Sequence, residues 1–176
     1  MEQEFDEWLS RFASLEELFS SRHQLYSKLS RQQLDGIIEE NVTIAGPVCM
    51  GPNTLVKSGA ILKGPIIVGP NSIIDNGAKI LSGTFIGTGT YVNSGAVVFD
   101  SLLMNDCLVS ENCVIQNSVL GCGVVVKAGC LVGDRTSDQK GTYIGDKAEL
   151  GLGSILGAGS IVAQRQRVLP GAITDG

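Results

Sequence analysis

The chain has 176 residues, with 13 Lys and Arg against 18 Asp and Glu, a formal charge of −5 and a single histidine. This acidic balance leaves no basic surplus for neutralising a phosphate backbone, which argues against a nucleic-acid partner. One histidine and five cysteines without a C-x-x-C pair exclude a multi-histidine metal centre, a zinc site and a disulfide framework, so no metal ligands are expected.

Residues 1–35 read as an N-terminal α-helical segment. Phe5, Trp8, Leu9, Phe12, Leu15, Leu18 and Phe19 recur at steps of three and four, the stripe of an amphipathic helix. Ser14-Leu15-Glu16-Glu17 caps a second helix or continues the first. The N-terminus has no secretory-signal pattern and no apolar run reaches spanning length, so no membrane partner and a cytoplasmic location are expected.

From Ile38 to Val98 an aliphatic residue returns at every sixth position, as in Met50, Val56, Leu62, Val68, Ile74 and Ile80. Six fits neither a helix nor a solitary strand, but it fits one side of a solenoid coil. The spacing predicts an all-β solenoid over 36–176, with eighteen residues per three-sided coil. Four places after each aliphatic comes a small residue, such as Thr54, Ala60, Ser72, Ala78, Thr90 and Ala96. Cys113 and Cys130 fall in the same slot as small core hydrophobes. Twenty-three glycines suit corners that need positive φ. The register is expected to slip by one residue after Met104 and again after Ile115. Residues 133–142 are polar and read as a protruding loop. Hexads resume at Ile144 and end near 164–171, where charge and proline oppose further stacking.

The position before each inward aliphatic should point outward. One face then carries Ile37, Leu55, Ile73 and Tyr91, a second Cys49, Ile67, Phe85 and Leu103, and a third Thr43, Ile61, Lys79 and Val97. Two apolar outer faces exceed what a solitary soluble prism exposes. The N-terminal helix is expected to cover one and a neighbouring subunit the other, with a homotrimer as the natural closure.

The hexads Ile44-Ala45-Gly46-Pro47-Val48, Val68-Gly69-Pro70-Asn71-Ser72 and Leu156-Gly157-Ala158-Gly159-Ser160 resemble those of the hexapeptide-repeat transferases. That resemblance implies a left-handed parallel β-helix. Within the superfamily, Glu39-Glu40-Asn41-Val42-Thr43-Ile44 followed by Gly64-Pro65-Ile66-Ile67-Val68-Gly69 is similar to the C-terminal domain of the sugar-phosphate nucleotidyltransferases. The nearest type is the bifunctional N-acetylglucosamine-1-phosphate uridylyltransferase/glucosamine-1-phosphate acetyltransferase. The Gly-rich nucleotide-binding domain of that type has no counterpart in this sequence, so uridylyl transfer is not expected of it.

The resemblance implies acyl transfer from acetyl-CoA to an amino-sugar phosphate or nucleotide sugar. The family's acetyltransferases use a histidine base, a following tyrosine, an Asn-Tyr pair and a loop lysine. Carried over without gaps from Val126-Lys127-Ala128-Gly129, these fall on Glu111, Val114, Asp134-Arg135 and Lys140. Only the lysine is retained. Glu111 is thus the candidate catalytic base, and a carboxylate needs burial or a like-charged neighbour to serve as one near neutrality. His23 lies in the helical segment, away from these positions. Asp134, Arg135 and Lys140 are candidate ligands of a sugar phosphate. Ala128 and Ala158 match the small positions along which the family lays acyl-CoA, with Arg165 and Arg167 as candidate phosphate partners. The alternative is a catalytically inactive scaffold that trimerises and binds a sugar phosphate or partner enzyme.

Overall fold

The computed structural model describes residues 17, 20, 21, 24, 26, 32–134 and 140–175. The hexads form a parallel β-solenoid of eight turns whose sides build three eight-stranded sheets. The first sheet runs from Gln33–Leu34 to Ile161–Val162, the second from Ile37–Ile38 to Arg167–Val168, and the third from Thr43–Ala45 to Ile173–Thr174. We call the turns from first to second, second to third and third to first sheet the first, second and third corners.

The inward hexad positions make one continuous core: Met50, Val56, Leu62, Val68, Ile74 and their successors as far as Leu156 are at most 1% exposed. Each such burial contributes about 1.5–3 kcal/mol, offset by the cost of ordering the chain. The small slot is buried as expected, and its polar members are hydrogen-bonded from coil to coil. At the first corner Thr54 Oγ1 donates to Gly69 O over 2.9 Å and Ser72 Oγ to Gly87 O over 2.9 Å. Thr90 Oγ1 follows with Met104 O at 3.1 Å, and Cys107 Sγ with Gly121 O at 3.2 Å. A hydroxyl or thiol is tolerated there because the next coil always offers a carbonyl.

The register slip occurs elsewhere than predicted. Phe85 pairs with Leu102 and Ile86 with Leu103, so Leu103 is the inward residue, 0% exposed, and Leu102 takes the outward place. The cause is the third corner, where Asp100 at φ 46° turns the chain one residue sooner. Asn117, at φ 49°, does the same one coil later, which confirms the second slip after Ile115. The loop expected over 133–142 falls at this same corner, and its residues 135–139 lie outside the described residues. It ends before Thr142, which is buried in the strand Thr142–Ile144 and donates from Oγ1 to Gly157 O over 3.0 Å.

Five outward residues of the first sheet, Cys49, Ile67, Phe85, Leu102 and Val119, are at most 7% exposed although they lie outside the core column, whereas Ile161 at the far end of the sheet is 76% exposed. Tyr26, helical and buried, donates from its hydroxyl to Gly83 O over 2.8 Å, which brings the N-terminal segment to this side of the solenoid. The other described residues before 32, namely Glu17, Ser20, Ser21 and Gln24, are also helical. The aromatic stripe from Phe5 to Phe19 lies outside the described residues. The first solenoid strand, Gln33–Leu34, starts inside the stretch assigned to the helical segment. The third sheet keeps an exposed apolar column of Leu131, Ile155 and Ile173.

Candidate functional site

The residues that follow each second-sheet strand stack along the second corner as Glu39, Lys57, Asp75, Asn93, Ser110, Lys127, Gly151 and Leu169. Most have a side chain that covers the corner. Gly151 has none, and a Cβ there would collide with the backbone N of Pro170 and lie 2.6 Å from Leu169 C. A cleft of about 480 Å³ lies along this corner, lined by residues from Ser110 to Pro170 with Gly151 among them. Its apolar wall is Ala128, Leu152, Val168, Leu169 and Pro170, and its charged rim is Lys127, Glu149 and Arg167. Glu149 joins the rim: Oε1 is 3.5 Å from Lys127 Nζ and Oε2 is 3.2 Å from Arg167 Nε.

A second polar group lies nearer the N-terminal end of the same corner. Asp75 is 8% exposed and accepts from Asn76 N–H at 2.7 Å, Tyr91 OH at 2.9 Å and Lys57 Nζ at 3.1 Å. Burial pushes its carboxyl up, but these three donors together overcome burial and hold it below the ordinary carboxylate value. The hydrogen bond to Asp75, then burial, raises the Tyr91 phenol. Among the thiols, burial pushes Cys107 up to about 12, so it behaves as a core residue rather than a nucleophile. Cys113 and Cys130 are likewise fully buried at the second corner.

Of the residues singled out from sequence, Ala128 and Arg167 share the cleft. Glu111 sits at the same corner one residue beyond Ser110, with its side chain exposed. It lacks the burial that a carboxylate base requires. Ala158 is on the third corner, after the strand Ile155–Leu156, and Arg165 is on the first, exposed at φ 59°. The proposed cofactor set is therefore divided over three edges of the prism. Asp134 and Lys140 flank the loop at the third corner, both exposed, and Asn117 Nδ2 donates to Lys140 O over 3.1 Å. Arg135 and His23 lie outside the described residues. The cleft residues that sequence reasoning passed over are Glu149, Leu152 and Leu169; Lys127 entered only as part of a motif. Among the described residues, no group of three or more His, Cys, Asp or Glu side chains could hold a metal, and no helix is long and apolar enough to cross a membrane.

Comparison with solved structures finds a hexapeptide transferase family protein from Anaplasma phagocytophilum at 21% identity, covering 81% of this chain and 75% of that one, with a TM-score of 0.39. UDP-N-acetylglucosamine acyltransferase from Campylobacter jejuni is 13% identical over 83% and 71% of the two chains, at 0.48. The acetyltransferase domain of PglB from Neisseria gonorrhoeae, in complex with acetyl coenzyme A, is 16% identical over 80% and 57%, at 0.36. No curated protein matches. The family model of the GMPPB C-terminal domain matches residues 62–174, more than half of the sequence. With its core of inward hexad residues stacked in three parallel sheets, the chain belongs to the GMPPB C-terminal domain family, as a hexapeptide-repeat solenoid.

Proposed function

We propose that this solenoid is an acyltransferase-type protein that binds an acyl-CoA along the second corner and acts on an amino-sugar phosphate or nucleotide sugar. The observation that carries the reading is the cleft itself, which joins an apolar wall at Ala128, Leu152 and Leu169 to a cationic rim at Lys127 and Arg167. An acyl-CoA has the same two-part chemistry: phosphates at one end and a thin, weakly polar arm at the other. Ala128 leaves room for that arm to approach the backbone, and the rim faces the phosphates.

In this reading the protein is a homotrimer, and a neighbouring subunit brings its Asp134, Arg135 and Lys140 toward the cleft to hold the acceptor's phosphate. Positioning supplies most of the rate. The acceptor amine attacks the thioester carbon, its proton passes to Glu111 or water, and the thiolate leaves and is protonated. Burial of Glu111 at a subunit junction would give it the environment it lacks in one chain. Against turnover stands the absence of histidine among the described residues and the exposed Glu111; these favour the second reading, a ligand-binding scaffold without catalysis.

The test is calorimetric titration with acetyl-CoA, with Ala128→Trp and Ala158→Trp as paired variants. Binding that Ala128→Trp abolishes and Ala158→Trp leaves intact supports the second-corner site. A flat titration in the wild-type chain rejects it. Binding without acetyl transfer to any amino-sugar phosphate favours the scaffold, and sedimentation as a monomer removes the subunit junction.

A further inference from the structure

Glu149 is out of keeping with its column. The outward positions of the second sheet read Ile37, Leu55, Ile73, Tyr91, Leu108 and Val125 before it, and Arg167 after it. A carboxylate there adds nothing to apolar packing. Its two oxygens are instead divided between two cations, Lys127 in the coil before and Arg167 in the coil after. All three side chains are accessible, at 46% for Lys127, 34% for Glu149 and 82% for Arg167. Exposed pairs of this kind hold only weakly and exchange readily with water or a competing anion.

The two cations belong to coils two apart, so their backbones are separated by roughly 10 Å along the axis, with the carboxylate midway. A phosphate or pyrophosphate group carries more charge and more acceptor oxygens than a carboxylate, and both a lysine and an arginine bind it well. We propose that Glu149 is a built-in counter-ion: it occupies a phosphate subsite formed by Lys127 and Arg167 and swings aside when a phosphate-bearing ligand enters the cleft. The inference rests on the reading of this cleft as a ligand site. It adds that the empty subsite carries one net positive charge rather than two. Singly charged anions are therefore held poorly, and entry is reserved for groups that can outcompete an internal carboxylate.

Calorimetry with inorganic pyrophosphate, acetyl-CoA and glucosamine 1-phosphate, on the wild-type chain, Glu149→Gln and Lys127→Gln, tests this. Glutamine keeps the shape of residue 149 and removes its charge, and the site is exposed enough for each variant to fold. Pyrophosphate should bind Glu149→Gln about twofold to fivefold more tightly than wild type and Lys127→Gln more weakly. Equal or weaker pyrophosphate binding by Glu149→Gln, or none by any protein, overturns the counter-ion whatever acetyl-CoA does. When the pyrophosphate gain is present, a matching gain for acetyl-CoA assigns the subsite to the donor. A matching gain for the sugar phosphate alone assigns it to the acceptor. A pyrophosphate gain with no acetyl-CoA binding keeps the counter-ion and rejects the donor reading.

Discussion

The Tyr91 hydroxyl donates to Oδ2 of Asp75 over 2.9 Å, linking one coil of the second sheet to the coil before it. Asp75 is almost fully buried, so each donor it loses leaves a carboxylate less satisfied. Tyr91→Phe should therefore cost about 1–2 kcal/mol in urea unfolding at neutral pH. The donors hold the folded carboxyl below its ordinary 3.8, so the stabilisation is complete above that pH and is lost as pH falls through the folded value. The deficit of Tyr91→Phe should shrink on the acid side of 3.8. An unchanged deficit at lower pH would show that the hydroxyl serves packing alone.

Leu103 fills the core in the first shortened coil and is 0% exposed. Leu103→Ala should lower stability by about 2–5 kcal/mol, the range for a truncated buried leucine. Met104→Ala, one residue further and at the start of the corner, should cost less. Equal losses in thermal and urea unfolding would count against the register described here.

Lys147 holds φ at 57° in a corner column otherwise made largely of Asn, Asp and Gly. A side chain with a Cβ is strained in that conformation by about 1 kcal/mol, and glycine is not. Lys147→Gly should raise the unfolding midpoint, and Lys147→Val should lower it. Both can be read by differential scanning calorimetry.

Gly151 lines the cleft, and its backbone packs against Leu169 and Pro170 too closely for any side chain. Gly151→Ala should destabilise the last two coils by about 1–3 kcal/mol through overpacking. Hydrogen exchange should show the loss concentrated in the strands Arg167–Val168 and Ile173–Thr174. Exchange that stays uniform along the solenoid would contradict it.

The core was legible because a six-residue period belongs to few architectures, and Met50, Val56 and Leu62 needed only to be counted. Leu103 was harder. In Leu102-Leu103-Met104 three apolar residues adjoin, and periodicity alone cannot choose among them. The choice is made by the short turns at Asp100 and Asn117, each followed by a serine that lies buried in the wall. Ala128 and Ala158 look equivalent in Lys127-Ala128-Gly129 and Gly157-Ala158-Gly159, yet they stand on different edges. Assigning an edge means counting sides across two slips and a loop. The cleft was less legible still, because its lining is gathered from four coils and Glu149 reaches partners on two others.

From Ile38 onward, successive inward residues across the first and second corners are always six apart; only the third corner varies. It takes five residues at Asp100 and at Asn117, and twelve between Val132 and Ile144. One edge of the prism is thus an expandable seam, and the other two are invariant rails. A peptide epitope spliced in after Asn117 should be carried as cargo, leaving the spacing of Lys127, Gly151 and Arg167 along the opposite rail untouched.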